Sequence, residues 1–93
     1  MMDSAKQARI FKVLSVCTRV QMIDLLKRRS LCVNALAHAL AITPAAISQH
    51  LRILRDAEIV AAEKRGYFVH YRVNETTLAL WNKAAKSLLE MKK

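Results

Sequence analysis

Residues 43–55, Thr43-Pro44-Ala45-Ala46-Ile47-Ser48-Gln49-His50-Leu51-Arg52-Ile53-Leu54-Arg55, constrain the fold of this chain more than any other stretch. Thr43 suits a helix N-cap, where a hydroxyl accepts from an orphan backbone N–H. Pro44 suits the first helical position, where no N–H is needed. At about 100° per residue, Ile47, Leu51 and Leu54 fall within a narrow arc. Ala45, Gln49 and Arg52 lie opposite, with Ser48 and His50 on the flanks. The segment therefore predicts a short helix with an apolar seam and an outer face of small, amide and guanidinium groups. The segment itself holds no acid, the next one being Asp56. Such side chains read base edges in a major groove.

The flanking residues supply a context for that helix. Leu31 to Leu40 predict a short helix with Val33, Leu36, Ala37 and Leu40 inward, and Ala41-Ile42 forms a turn. Two short helices joined by a brief turn, the second capped and basic, make a helix-turn-helix over about residues 32–56. Upstream, residues 4–14 place Ala8, Ile10, Phe11 and Leu14 on one side of a first helix. Ser15 is positioned to cap a second, in which Val20, Ile23 and Leu26 recur at helical spacing. Its end, Lys27-Arg28-Arg29, suits the negative pole of the helix.

From Ile59 the period drops toward two. Tyr67, Val69, Tyr71 and Val73 alternate with Phe68, His70 and Arg72, which predicts a strand, with Ile59 to Glu63 as its partner. Lys64-Arg65-Gly66 falls between them and includes the single glycine of the chain, where a tight hairpin needs a positive φ. A basic-tipped hairpin over about 59–73, following a recognition helix, is a wing that reaches sugar-phosphate or the adjacent minor groove. Residues 75–91 are helical again, with Leu78, Trp81, Ala85 and Leu88 at helical spacing. The other helices already supply a core. The terminal apolar faces, Phe11 and Leu14 on one helix and Leu78, Trp81, Ala85 and Leu88 on the other, are therefore expected to meet a second subunit across a two-fold axis.

Charge and length bound the function. The 93 residues make one domain, 1–93, mainly α with a small β-hairpin. Sixteen Lys and Arg against seven Asp and Glu leave a net charge of +9. That excess favours a polyanion as partner, double-stranded DNA first and an anionic membrane surface second. No stretch approaches the roughly 18 apolar residues of a membrane span. Met1 to Lys6 lack the apolar core of a signal peptide, and a cytoplasmic location is expected. Two cysteines, Cys17 and Cys32, are too few for a disulfide framework and fit a reducing compartment. Gly-rich phosphate loops, nucleophile elbows, His-Glu-x-x-His and Cys-x-x-Cys pairs are all missing from the sequence, so no catalytic residue is assigned.

Taken together, these segments resemble the ArsR/SmtB family of winged-helix repressors over nearly the whole chain. Residues 14–19 look like that family's entry to its second helix, and residues 30–37 like its metal-site helix. Residues 43–57 match its recognition helix, and Arg65-Gly66 through Tyr71 its wing. The resemblance implies a homodimer that binds an inverted-repeat operator, represses transcription, and releases DNA when a metal or metalloid binds or a thiol pair is oxidised. Two positions depart from the pattern. Ala41 and Glu58 stand where the family carries glycine, which implies left-handed residues without glycine, at about 1 kcal/mol each.

The sensing half of the pattern is thin. Cys32 matches the first ligand of the family's thiolate site, but Asn34 and Ala37 occupy the positions of further sulfurs. One thiolate is too few for a soft metal. His38 lies roughly 240° around the helix from Cys32, too far to share one ion with it. Of the positions of the family's site on the last helix, Glu75, Thr77, Leu88 and Met91, only Glu75 can ligate a hard or borderline ion. No metal site or cofactor is assigned, and Cys32, Cys17 and Glu75 stand as weak ligand candidates. Thiols gain reactivity at helix N-termini and beside basic groups. Cys17, near the start of the second helix and close to Arg19, is thus a candidate with Cys32 for oxidation or arsenite capture; the alternative is that both are small apolar fillers.

The expected function is a DNA-binding regulator. Thr43 and Pro44 set the recognition helix, and Ala45, Ser48, Gln49, His50 and Arg52 face the major groove. Lys64, Arg65 and Arg72 meet the backbone from the wing. Two alternatives remain at this stage: a winged-helix module whose basic face docks an acidic protein, and a family member that has lost metal sensing.

Overall fold

The computed structural model describes residues 3–91. Five helices and one hairpin follow in order: α1 (Ser4–Val13), α2 (Cys17–Arg28), α3 (Val33–Leu40), α4 (Pro44–Asp56), β1 (Val60–Arg65), β2 (Phe68–Val73) and α5 (Glu75–Leu89). Three starts are capped by side chains. The Asp3 carboxylate accepts from the Lys6 N–H at 2.8 Å. Thr43 Oγ1 accepts from the Ala46 N–H at 3.1 Å, and Asn74 Oδ1 accepts from the N–H groups of Thr76 and Thr77. The expected cap at Ser15 does not form. Val16 holds the N-cap position of α2 without a side-chain bond. The Ser15 hydroxyl instead donates backward to the Lys12 carbonyl at 2.6 Å, closing α1.

Both helices of the helix-turn-helix end in the same way. Ala41 has φ 55° and Glu58 φ 63°, the two non-glycine left-handed residues among those described. At each, two crossed bonds close the helix: Ile42 N–H to Ala37 O and Ala41 N–H to His38 O, then Ile59 N–H to Leu54 O and Glu58 N–H to Arg55 O. These are Schellman motifs, which ordinarily place glycine at the left-handed residue. The apolar residue after each, Ile42 and Ile59, turns into the core.

The core gathers one side of every helix except α5 around Met22, Leu36, Ile47, Leu54 and Ile59, all fully buried, with Val60 and Val73 from the base of the hairpin. In α1 the buried residues are Ile10 and Val13; Ala8, expected inward, is exposed. In α2, Met22, Ile23 and Leu26 face inward, whereas Val20 is exposed. α3 packs on α4, α2 on β2 and α4 on β1, so the hairpin is anchored to the helix-turn-helix.

Other boundaries move for tertiary reasons. Leu31, expected to open α3, is instead bridged to Tyr71, with Leu31 N–H to Tyr71 O at 3.1 Å and Tyr71 N–H to Leu31 O at 2.8 Å. The free edge of β2 thereby gains a short third rung. β1 runs to Arg65, beyond the expected Glu63, and pairs antiparallel with β2 from Val60↔Val73 to Arg65↔Phe68. Lys64 and Arg65 are therefore strand residues, and the turn is Gly66-Tyr67. With φ +62° at Gly66 and no positive φ at Tyr67, it has the dihedral pattern of a type II′ hairpin. α5 ends at Leu89, short of the expected Met91.

Candidate nucleic-acid interface

The recognition helix presents the expected face. Thr43, Pro44, Ala45, Ser48, Gln49 and Arg52 are exposed, while Ile47, Leu51 and Leu54 are buried beneath them. His50 differs: it is half-buried on the flank, and its Nδ1 is enclosed with no hydrogen-bond partner. Only its other edge remains for a ligand. His70, half-buried on β2, has its Nδ1 in the same condition. His38 is exposed.

The wing projects from the core. Burial along β2 is confined to its base: Val73 is buried and Tyr71 half-buried, whereas Val69 and Phe68 are exposed and Tyr67 is fully so at 101%. The tip thus joins Lys64 and Arg65 to two bare aromatic rings. Glu63 moderates this charge, lying 3.6 Å from Arg65 Nε and 3.7 Å from Arg72 Nε. All three side chains are about half exposed, and such pairs exchange readily for other partners. Arg72 lies on the strand face opposite Tyr71.

Arg55 and Tyr71 were not among the contact residues expected from the sequence. Ser48, Leu51, Arg52, Arg55, Asp56 and Tyr71 line a shallow cleft of about 410 Å³ between α4 and β2. The positions of Ser48, Arg52 and Arg55 on one helical stripe gave a signal for this grouping. The participation of Tyr71 depends on how the hairpin packs.

The thiols are not brought into a ligand set. Cys17 is exposed at the first residue of α2, Cys32 is half-buried at the N-cap of α3, and both are free. Among the described residues, no group of three or more His, Cys, Asp or Glu side chains is arranged to hold a metal ion. The Arg19 guanidinium, expected beside Cys17, turns away into the protein. It is buried, and its Nε donates to Val13 O at 2.7 Å. Glu75 opens α5 behind the Asn74 cap, where its charge complements the helix N-terminus.

The expected subunit-facing residues flank a second, apolar cleft between α1 and α5, lined in part by Phe11, Leu14, Leu78, Trp81 and Ala85. Leu14, Leu78 and Trp81 also pack against the protein's own core, and Leu88 is 52% exposed. The one buried residue of α5 is Ala84, whose carbonyl accepts from Gln7 Nε2 at 3.5 Å.

Comparison with known proteins matches this arrangement. Residues 17–62 match the family model described as bacterial regulatory protein, arsR family. The chain is 36% identical over 69 residues to the transcriptional repressor SdpR of Bacillus subtilis, covering 74% of this chain and 77% of that one. It is 41% identical over 66 residues to the arsenic resistance transcriptional regulator ArsR1 of Pseudomonas putida, covering 70% of this chain and 52% of that relative. Among solved structures it resembles the homodimeric winged helix-turn-helix DNA-binding domain of a possible ArsR-family regulator from Mycobacterium bovis, with a TM-score of 0.75 and 25% identity, covering all of this chain and 92% of the other.

Proposed function

This chain belongs to the arsR family of bacterial regulatory proteins and is a transcriptional repressor with a winged helix-turn-helix, and from that premise we propose that it acts as a homodimer on an inverted-repeat operator. The observation that carries the reading is the exposed face of α4, where Ala45, Ser48, Gln49 and Arg52 stand clear of the core on a helix fixed at both ends. A Gln amide pairs bidentately with adenine in the major groove, so Gln49 is the principal base reader. Lys64, Arg65 and Arg72 grip the backbone beside it. Two copies set their recognition helices about 34–36 Å apart, one turn of DNA, which calls for a near-palindromic site. The homodimeric Mycobacterium bovis neighbour supports the two-fold arrangement.

As a second, separable proposal, any release of DNA by a metalloid or by oxidation acts at Cys17 or Cys32. They are the two cysteines of the chain, both free, with Cys17 exposed and Cys32 half-buried. The likeness to an arsenic resistance regulator points to arsenite as the first compound to test.

The experiment is selection of an operator from random duplexes, followed by binding measurements on the selected and a scrambled duplex. Gln49→Ala is expected to relax preference at one base position per half-site, with a loss of roughly 1–3 kcal/mol. Lys64→Ala is expected to weaken both duplexes equally and flatten the salt dependence. Recovery of no preferred sequence would exclude operator recognition and favour the acidic-protein module. In the same assay, arsenite should release the wild type but not Cys32→Ser; equal release of both rules out the thiol reading.

A further inference from the structure

We propose that the cleft between α4 and β2 is a seat for one backbone phosphate of the bound strand, closed by Arg55 and Tyr71, and that Arg52 serves this seat rather than a base. The inference rests on the DNA-binding reading above; it gives Arg55 and Tyr71, which that reading left unused, a position in the complex and narrows the role of Arg52.

The geometry is that of a helix flank facing a strand. With Ile47 taken as the centre of the buried side, Ser48, Arg52 and Arg55 lie roughly 80–140° around the helix, between the core and the outermost face that carries Gln49. β1 packs on α4, and Tyr71 of β2 lines the same cleft as Ser48, Arg52 and Arg55. Tyr71 is held there by its paired backbone bonds to Leu31, at 2.8 and 3.1 Å. A residue anchored through its backbone therefore shares the cleft with two guanidinium groups.

The charges in the cleft are uncommitted. Arg65 and Arg72 on the wing share Glu63, and Arg28 and Lys27 share Asp24. Arg52 and Arg55 enter no ion pair among the described residues, although both line the cleft. Two guanidinium forks, with the Ser48 and Tyr71 hydroxyls able to donate beside them, suit a small, multiply accepting anion, and a phosphodiester is such a group. The position fits a phosphate better than a base edge: a groove floor meets the outer face of the helix at Gln49, while the strand rims meet its flanks. Asp56 also lines the cleft. Its carboxylate opposes the anion and sets an upper limit on how tightly the seat holds.

The test uses the full-length protein with a fixed mixed-sequence duplex and with the selected operator. Arg55→Ala is expected to weaken both by about tenfold, the scale of one charge-assisted hydrogen-bonding group. It should also reduce the slope of log K against log salt by about 0.9, one phosphate contact. Arg55→Lys should retain most of the slope. Asp56→Asn should tighten both duplexes. Methylphosphonate scanning of the operator should find one phosphate per half-site whose neutralisation weakens the wild type clearly more than Arg55→Ala. Because Arg55 also sits in the last turn of α4, where a cation favours the helix, Arg55→Ala should be checked by thermal melting; lost stability alone leaves the salt slope unchanged. An unchanged slope, or absence of any phosphate coupled to Arg55, overturns the proposal. So does a change in base preference on Arg52→Ala in place of a uniform loss. If selection yields no operator, operator recognition fails, while the mixed-sequence duplex still decides whether the phosphate seat exists.

Discussion

Arg19 shows how much one residue can do outside the DNA face. A guanidinium is seldom buried without partners, because desolvating a charge costs more than most single contacts return. Here it spans the joint between α1 and α2, donating to Val13 O at 2.7 Å and, through a terminal nitrogen, to Lys12 O at 3.3 Å. Those carbonyls belong to the last turn of α1, where intrahelical donors run out. The positive charge also meets the negative pole of that helix. Arg19→Ala removes the side-chain donor to the Val13 carbonyl, while Lys12 O keeps its bond from Ser15, and is expected to cost about 2–3 kcal/mol. For a chain of this length that is a fall of roughly 10 °C or more in Tm, read by calorimetry. Arg19→Lys keeps the charge but loses the fork and should recover only part. The sequence placed Arg19 correctly near the start of α2 but could not say which way it points, since the side chain reaches back across the turn to α1.

At the scale of elements, both helices of the DNA-reading pair are fixed at their ends by local chemistry, and the sequence revealed most of it. Thr43 and Pro44 start α4 where expected. Ala41 and Glu58 adopt the left-handed conformation that the missing glycines implied. Each Cβ there is crowded against the backbone at a cost of roughly 1–2 kcal/mol. Ala41→Gly and Glu58→Gly are therefore expected to stabilise the fold by about 0.5–1 kcal/mol each, after the entropy that glycine adds to the unfolded chain, and to leave operator affinity unchanged; denaturant titration measures the gain. The hairpin was less legible. Alternation at 67–73 showed a strand but not where burial stops, and Ile59 to Glu63 understated its partner. A period of two reports which faces alternate, whereas the length of a wing beyond its anchor depends on pairing between the two strands alone.

The whole molecule is elongated. Its principal extents are 51 × 23 × 21 Å, and its radius of gyration of 14.3 Å exceeds the roughly 12 Å of a compact domain of this length. The wing and α5 account for that shape, and α5 carries bare apolar residues along its length: Leu80, Leu88 and Leu89 are each more than half exposed. An apolar face of this kind on a slender protomer is suited to a two-fold partner, in which each helix meets its own copy. Leu88→Glu would bury a charge in such an interface while touching little of the protomer's core. It is expected to weaken self-association by roughly tenfold or more in sedimentation experiments, with the melting of dilute protein little changed. An unaltered sedimentation profile would place the contact elsewhere on α1 and α5.

The sequence by itself determined the helix-turn-helix, the cap and proline that start its second helix, the two left-handed turns, the switch to a strand period and the surplus of positive charge. All of these are set within a few residues, by hydrogen-bond capping, steric limits on φ and the spacing of apolar groups, so they can be read one segment at a time. Tertiary structure alone decided that Leu31 leaves α3 to pair with Tyr71, that Ser15 closes α1 instead of opening α2, that Arg19 is buried, and that Arg55 shares a cleft with Tyr71. Each depends on which distant segment arrives alongside, and that is settled by burial of the common core.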